Sequence, residues 1–370
     1  MAVLKVLTVS SEAGGARNLV EIVHQFRSEV MFTNLCAGGA TGTFEESSLR
    51  YRNIDGLYDI EELSAVVRAL GPDAVLSGRG VQFGSPERMA VEVARQLQIP
   101  SVGLIDEWYD YKKNYVNKTG IFNALPDMVC CPDEQARVEA LRDGIPEDRL
   151  CVTGSPLFAS VFSNRNVTSY RKPGKHEFLA AQGDRLLVVF LSEVIGSEPT
   201  EQMNLSIREE EEHQSPGYDE YGVRRILCEC LEALALSCIV VEKVHPSACK
   251  EDYPILNTRT VDWHTVQDID RSYLFDRADL VVGMRSAALL EARILGVPVV
   301  SLQPGLVGSN RCTAARKKLI PLFSSVDSFR DWLKCQSFPY KNDLTTRPEF
   351  AREDAASNVI SVVQKLTTKH

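Results

Sequence analysis

Apolar residues along this chain fall in short unbroken runs, and the stretches between them repeat with helical period. VLKVLTVS (3–10) reads as a strand and is followed by an amphipathic helix near 16–28. VMFTNLCAG (30–38) is a second strand, 59–70 a helix, and Gly71-Pro72-Asp73 leads into the strand AVLSG (74–78). A helix at 85–98 opens on Ser85-Pro86-Glu87, a good capping signal. SVGLID (101–106), MVCC (128–131), a helix at 133–143 and LCVTG (150–154) complete the first half.

The plan then restarts. DRLLVVFLSE (184–193), CIVVEKVHP (238–246), LVVGM (280–284) and PVVSLQP (298–304) read as strands, with helices at 219–236 and 286–295. Strands without polar alternation, separated by helices, predict parallel sheets covered on both faces. Two Rossmann-like α/β domains are expected, an N-terminal one over 1–160 and a C-terminal one over 183–345, with a helix in 346–370 able to cross back. The polar stretch 160–182 reads as the linker and the acidic stretch 196–218 as a loop.

Composition narrows the function. At 370 residues with 44% hydrophobic content the chain can fill two cores. A net charge of −9 argues against nucleic acid as a partner, because phosphate backbones call for a basic face. No run approaches the roughly 20 apolar residues of a membrane span, and the start lacks the features of a secretory signal. A cytoplasmic location is expected, so Asn117, Asn166 and Asn204 carry no weight as glycosylation sites. The ten cysteines contain no C-x-x-C pair and read mainly as small buried hydrophobes. No metal cluster and no cofactor are expected.

Candidate chemistry lies at four strand ends, where open parallel sheets gather ligands. Glu12, Gly14, Gly15 and Arg17 follow the first strand, as a plain tight turn or as a turn lining a ligand. Asp106, Trp108 and Tyr109 follow another, with Arg79 at the neighbouring strand end. There the rings can stack on a sugar or base, Asp106 can act as general base, and Arg79 can reach an anion. Lys243 and His245 share one side of a third strand end, and Ser192 closes the strand at 184–193. At the fourth, Ser286 is the expected helix cap. Arg285, Ser286 and Ala287 can hold a diphosphate, and Glu291 can accept from ribose hydroxyls.

DLVVGMRSAALLEARILGVPVVSLQP (279–304) resembles the nucleotide-binding region of GT-B glycosyltransferases and UDP-N-acetylglucosamine 2-epimerases. Val244-His245-Pro246 and Cys151-Val152-Thr153-Gly154-Ser155-Pro156 are similar to further motifs of that superfamily, and the order covers most of the chain. The segment from Pro100 to Trp108 resembles GT-B-like proteins of bacterial polysaccharide or specialised metabolism. The resemblance implies two domains facing across a cleft, Glu291 on a ribose, Arg285, Ser286 and Ala287 on a diphosphate, and His245 near the sugar or phosphate. Two departures stand out. Arg285-Ser286-Ala287 replaces the family's Ser-Gly-Gly, and the epimerase-like Gly-Thr-Arg-Pro-Glu start is missing.

The leading expectation is a metal-independent glycosyltransferase acting on a UDP-linked sugar and a small-molecule or glycan-precursor acceptor, with a homodimer left open. Asp106, His245 or Glu12 would take the acceptor proton. One alternative is a nucleotide-sugar 2-epimerase or hydrolase with Asp106, Glu193 and His245 as its acid–base groups. The other is a non-catalytic binding or assembly protein on the same fold.

Overall fold

The computed structural model describes residues 3–57, 59–80, 82–165, 179, 183–195, 216–245, 248–267, 269–336, 344 and 346–368. The expected linker and acidic loop therefore lie largely outside the described residues, as does Pro246. The chain divides into two compact units, Met1–Ser163 with Arg347–His370, and Asn164–Thr346.

The first unit runs β1 (Leu4–Ser10), α1 (Ala13–Phe26), β2 (Val30–Cys36), α2 (Gly39–Glu46), β3 (Arg52–Asn53), α3 (Ile60–Leu70), β4 (Ala74–Ser77), α4 (Pro86–Leu97), β5 (Ser101–Leu104), β6 (Met128–Cys131), α5 (Glu134–Arg142), β7 (Leu150–Val152) and α6 (Pro156–Asn164). The second runs β8 (Leu186–Leu191), α7 (Glu220–Ala233), β9 (Cys238–Lys243), β10 (Val261–Val266), α8 (Arg271–Arg277), β11 (Leu280–Gly283), α9 (Ala288–Ile294), β12 (Val299–Leu302), α10 (Thr313–Arg316), β13 (Leu322–Phe323) and α11 (Val326–Lys334). Helix α12 (Ala355–Thr367) belongs to the first unit.

Strand order is β3-β2-β1-β4-β5-β6-β7 in one sheet and β10-β9-β8-β11-β12-β13 in the other. Every pairing between these strands is parallel. In each sheet the order reverses beside the first strand, between β1 and β4 and between β8 and β11. Such a reversal opens a crevice at the carboxyl ends of the two strands.

Local chemistry sets the element limits. Asp59, Asp133 and Asp219 cap α3, α5 and α7 by accepting from the N–H of Glu61, Ala136 and Gly222. Gly71, in the left-handed region, ends α3. Residues that the hydrophobic pattern left unassigned form α2, β3, α6, β10, α8, α10, β13 and α11. Most of these are short, and β10 alternates buried and half-exposed positions as the edge of its sheet. The all-apolar runs are buried from end to end, as in the AVLS of β4 and the LVVG of β11. On one face of the first sheet α1 and α12 pack Leu19, Ile22, Val359, Ile360 and Val363 over Val6, Leu76, Val102 and Cys130. The second sheet packs Phe190, Val240, Val282 and Trp263 against Val223, Leu227 and Leu231 of α7.

Trp108 belongs to this packing and not to a ligand surface, which corrects the expectation that its ring would meet an acceptor. It is 1% exposed, lies against Phe158 and Phe350, and donates its indole N–H to Asp133 at 2.9 Å. An aromatic ring with its polar tip satisfied is a core anchor, here pinning the segment before α12. In the second unit the Arg224–Glu242 pair is 2% and 0% exposed, at 2.6 Å. Trp263 Nε1 donates to the same Glu242 oxygen at 2.9 Å, and the Arg224 guanidinium lies over the Tyr253 and Trp263 rings. Both charges are compensated where water is excluded, so removing one strands the other.

Two stability outcomes are expected. Trp108→Ala should lower the unfolding free energy of the first unit by about 3–5 kcal/mol, read from urea titration; a loss confined to ligand affinity would return Trp108 to the site. Glu242→Leu should cost about 3–5 kcal/mol, and a change under about 1 kcal/mol would mean Arg224 finds another anion.

Candidate functional site

In the second unit the chain leaves β11 through Met284, Arg285 and Ser286, and their three backbone N–H groups converge on one carboxylate oxygen. Glu193, just past the end of β8, places Oε1 at 3.2, 2.8 and 3.0 Å from those nitrogens. Arg285 Nε stands 3.6 Å from the other oxygen. Burial raises the Glu193 carboxyl, while the Arg285 charge and the three N–H donors pull it back down. Successive N–H groups in this arrangement form a nest for an anion. The carboxylate oxygen stands at the point where the three donors converge.

The nest is held from behind. The Met284 carbonyl accepts from Ser301 Oγ at 2.5 Å and Gln303 Nε2 at 2.9 Å. Tyr218 donates to Gln303 Oε1 at 3.0 Å, and Gln303 also reaches Asn310. Because a peptide group is planar, fixing the Met284 carbonyl on one side aims the Arg285 N–H to the other. Ser301, Gln303 and Tyr218 were not singled out by sequence reasoning, since a Ser and a Gln in an apolar strand reveal their partner only once β11 and β12 are paired.

The donors to Glu193 are Met284, Arg285 and Ser286, which overlap at two residues the Arg285–Ala287 triplet expected on a diphosphate. Ala287, not Ser286, occupies the cap position of α9, and Ser286 Oγ accepts from the Ala288 N–H at 3.2 Å. Glu291, 3% exposed, is engaged by Arg271 at 2.9 Å, a partner that lies far away in sequence.

At the neighbouring strand end Lys243 donates to the carbonyl of Gln267, whose amide donates to the carbonyls of His245 and Ala248 at 3.4 and 3.0 Å. Partial burial, then the Lys243 ammonium, pushes the His245 imidazole below its ordinary value, which favours the neutral form. Ser192 is buried, its N–H donating to Lys243 O at 3.0 Å.

In the first unit the glycines sit inside α1 instead of in a turn before it, because that helix begins at Ala13. Close packing explains them. A Cβ on Gly15 would lie 3.2 Å from the Arg79 nitrogen, and one on Gly14 would lie 3.1 Å from Asp106 Oδ2. Asp106 thus lies over the first turn of α1. Burial raises its carboxyl, partly offset by the Arg79 charge, and its Oδ1 is buried with no hydrogen-bond partner among the described residues. A carboxyl held this way is suited to proton transfer.

Arg79, expected to reach an anion, already has one. It is 5% exposed, paired with Glu107, bonded through Nε to Asn114 at 3.3 Å, and stacked 5.1 Å from the Tyr109 ring. Arg17 faces Glu21 one turn along α1. Glu12 precedes α1 without capping it through its side chain. A further buried carboxylate, Glu87 on α4, accepts from the N–H and hydroxyl of Ser11 at 2.5 and 2.9 Å. In the sequence it shows only as part of the capping signal Ser85-Pro86-Glu87. Among the described residues no group of three His, Cys, Asp or Glu is placed to hold a metal ion, and no helix is long and apolar enough to cross a membrane.

No protein-family description and no curated protein matches this sequence. Solved structures do match in fold. The UDP-GlcNAc 2-epimerase of Neisseria meningitidis bound to UDP-GlcNAc superimposes with a TM-score of 0.70 at 15% identity, over 98% of this chain and 100% of that one. The Methanocaldococcus jannaschii UDP-GlcNAc 2-epimerase in complex with UDP-GlcNAc and UDP gives 0.68 at 14%, over 98% and 100%. S. aureus MnaA with UDP gives 0.68 at 12%, over 99% and 97%. Identities this low speak to fold alone, and on that ground the chain shares the α/β fold of these structures, built on two parallel sheets.

Proposed function

We propose that this protein converts a nucleoside-diphosphate sugar by 2-epimerase-type chemistry, with the diphosphate held in the nest at Met284–Ser286. The observation that carries the proposal is the convergence of three backbone N–H groups on one carboxylate oxygen at a sheet's switch point. A turn that binds a carboxylate this way has the donors for a phosphate, and Arg285 adds a full positive charge beside it. The fold likeness to enzymes solved with UDP-GlcNAc or UDP favours epimerisation over glycosyl transfer.

Glu193 takes part in this reading as the resident occupant. Diphosphate and Glu193 compete for the same donors, so binding requires the carboxylate to swing out. Epimerisation at a carbon removes a proton from one face and returns one to the other. Such chemistry needs groups that hold protons near neutral pH. His245, just past the end of the strand paired with β8 and lowered by burial and Lys243, is the proposed one in this unit.

The direct test is incubation with UDP-N-acetylglucosamine and no acceptor, followed by sugar analysis. Epimerised sugar is expected, with His245→Ala slower by about 10²-fold or more at unchanged UDP affinity. Unaltered UDP-GlcNAc would count against the assignment. Glu193→Ala should tighten UDP about tenfold in calorimetry, the worth of about 1.4 kcal/mol of freed donors. In the unsubstituted protein UDP affinity should also rise as pH falls and Glu193 takes up its proton, since a neutral carboxyl competes weakly for N–H donors. The raised carboxyl places that rise above the ordinary glutamate range, and the Ala variant should lack it. Equal affinity and equal pH profiles in the two proteins would place the diphosphate elsewhere.

A further inference from the structure

Cysteine usage contains one arrangement that neither the fold nor the proposed chemistry requires. Cys130 on β6 and Cys151 on β7 are Cα partners in register, and their sulfurs lie 3.8 Å apart. Neighbouring strands run about 4.8 Å apart, inside the Cα window of about 4.4–6.8 Å that a disulfide spans. The strand spacing suits a bond, and the sulfurs have to close from 3.8 Å to about 2.05 Å.

The two thiols are not equivalent. Cys130 is 2% exposed, inside the apolar cluster formed with Val359, Ile360 and Val363 of α12. Cys151 is half-buried and lies on β7, the edge strand of the sheet. Contact with the Cys130 thiol, opposed by burial and helped by the charge of Lys365, draws Cys151 toward its thiolate, while contact with Cys151 and then burial push Cys130 up. Cys131 points to the opposite face, as alternation along a strand demands.

We propose that Cys130 and Cys151 form an oxidative modification site, a dithiol that a hydroperoxide converts to a disulfide between β6 and β7. The Cys151 thiolate attacks one peroxide oxygen. The O–O bond breaks, and the departing oxygen leaves as water after protonation, giving a sulfenic acid on Cys151. The Cys130 sulfur then attacks the Cys151 sulfur, and the sulfenic oxygen leaves as water with the Cys130 proton. Two thiols lose two electrons, and one hydrogen peroxide becomes two waters. The bond would close the 131–150 segment, which contains α5, and staple the edge strand to its neighbour.

The test uses the full chain with its two exposed cysteines removed, Cys249→Ser with Cys335→Ser. After hydrogen peroxide treatment and thiol blocking, a digest should yield peptides carrying Cys130 and Cys151 joined and lighter by two hydrogen atoms. Fragmentation should place the link at Cys130, not Cys131, and dithiothreitol should undo it. Adding Cys130→Ser should leave a sulfenic acid on Cys151 that a cyclic dione traps, with circular dichroism confirming the fold. Cys151 left unoxidised, oxidised without a link, or joined to another cysteine in the folded protein would overturn the proposal. These outcomes do not depend on whether the chain binds a nucleotide.

Discussion

Backbone N–H groups at the carboxyl edge of a parallel sheet run out of strand partners, and each must be satisfied by something else. Both units meet this demand with a glutamate brought in from elsewhere in the unit. Glu87 on α4 accepts from Ser11 just beyond β1, and Glu193 beyond β8 accepts from the three donors that follow β11. In each case burial raises the carboxyl while the donors hold it down. A switch point therefore carries strong, directed donor capacity whether or not a ligand is present.

That constraint orders the rest of the second unit. Ser301, Gln303 and Tyr218 hold the carbonyl side of the Met284 peptide, so its N–H side is fixed before any anion arrives. Donors positioned in advance cost little reorganisation on binding, which is why a rigid nest can discriminate an oxyanion from water. Gly-rich turns give backbone access through flexibility, whereas here Arg285 and a pinned carbonyl supply charge and orientation together.

The first unit is built by close approach. Gly14 and Gly15 let α1 descend onto Asp106 and the Gly78–Arg79 backbone, which removes water from the Asp106 carboxyl and raises it. Arg79 is spent on Glu107 and Asn114, and Trp108 on the aromatic cluster with Phe158 and Phe350. Charged and aromatic residues beside a strand end thus go largely into packing, and only their partners reveal it.

Runs such as AVLS and LVVG marked the buried parallel strands without help from the tertiary structure, because a strand covered on both faces has no polar positions to interrupt it. The same pattern placed the turn after β11, where three N–H donors meet Glu193. Short edge elements such as β3 and β13 left no such trace, since two paired residues carry no period. Which donor meets which acceptor was settled by the fold alone. Arg271 reaches Glu291, Glu193 fills the nest, and Trp108 turns inward because strand order brings together residues that lie far apart along the chain, and sequence spacing holds no record of those encounters.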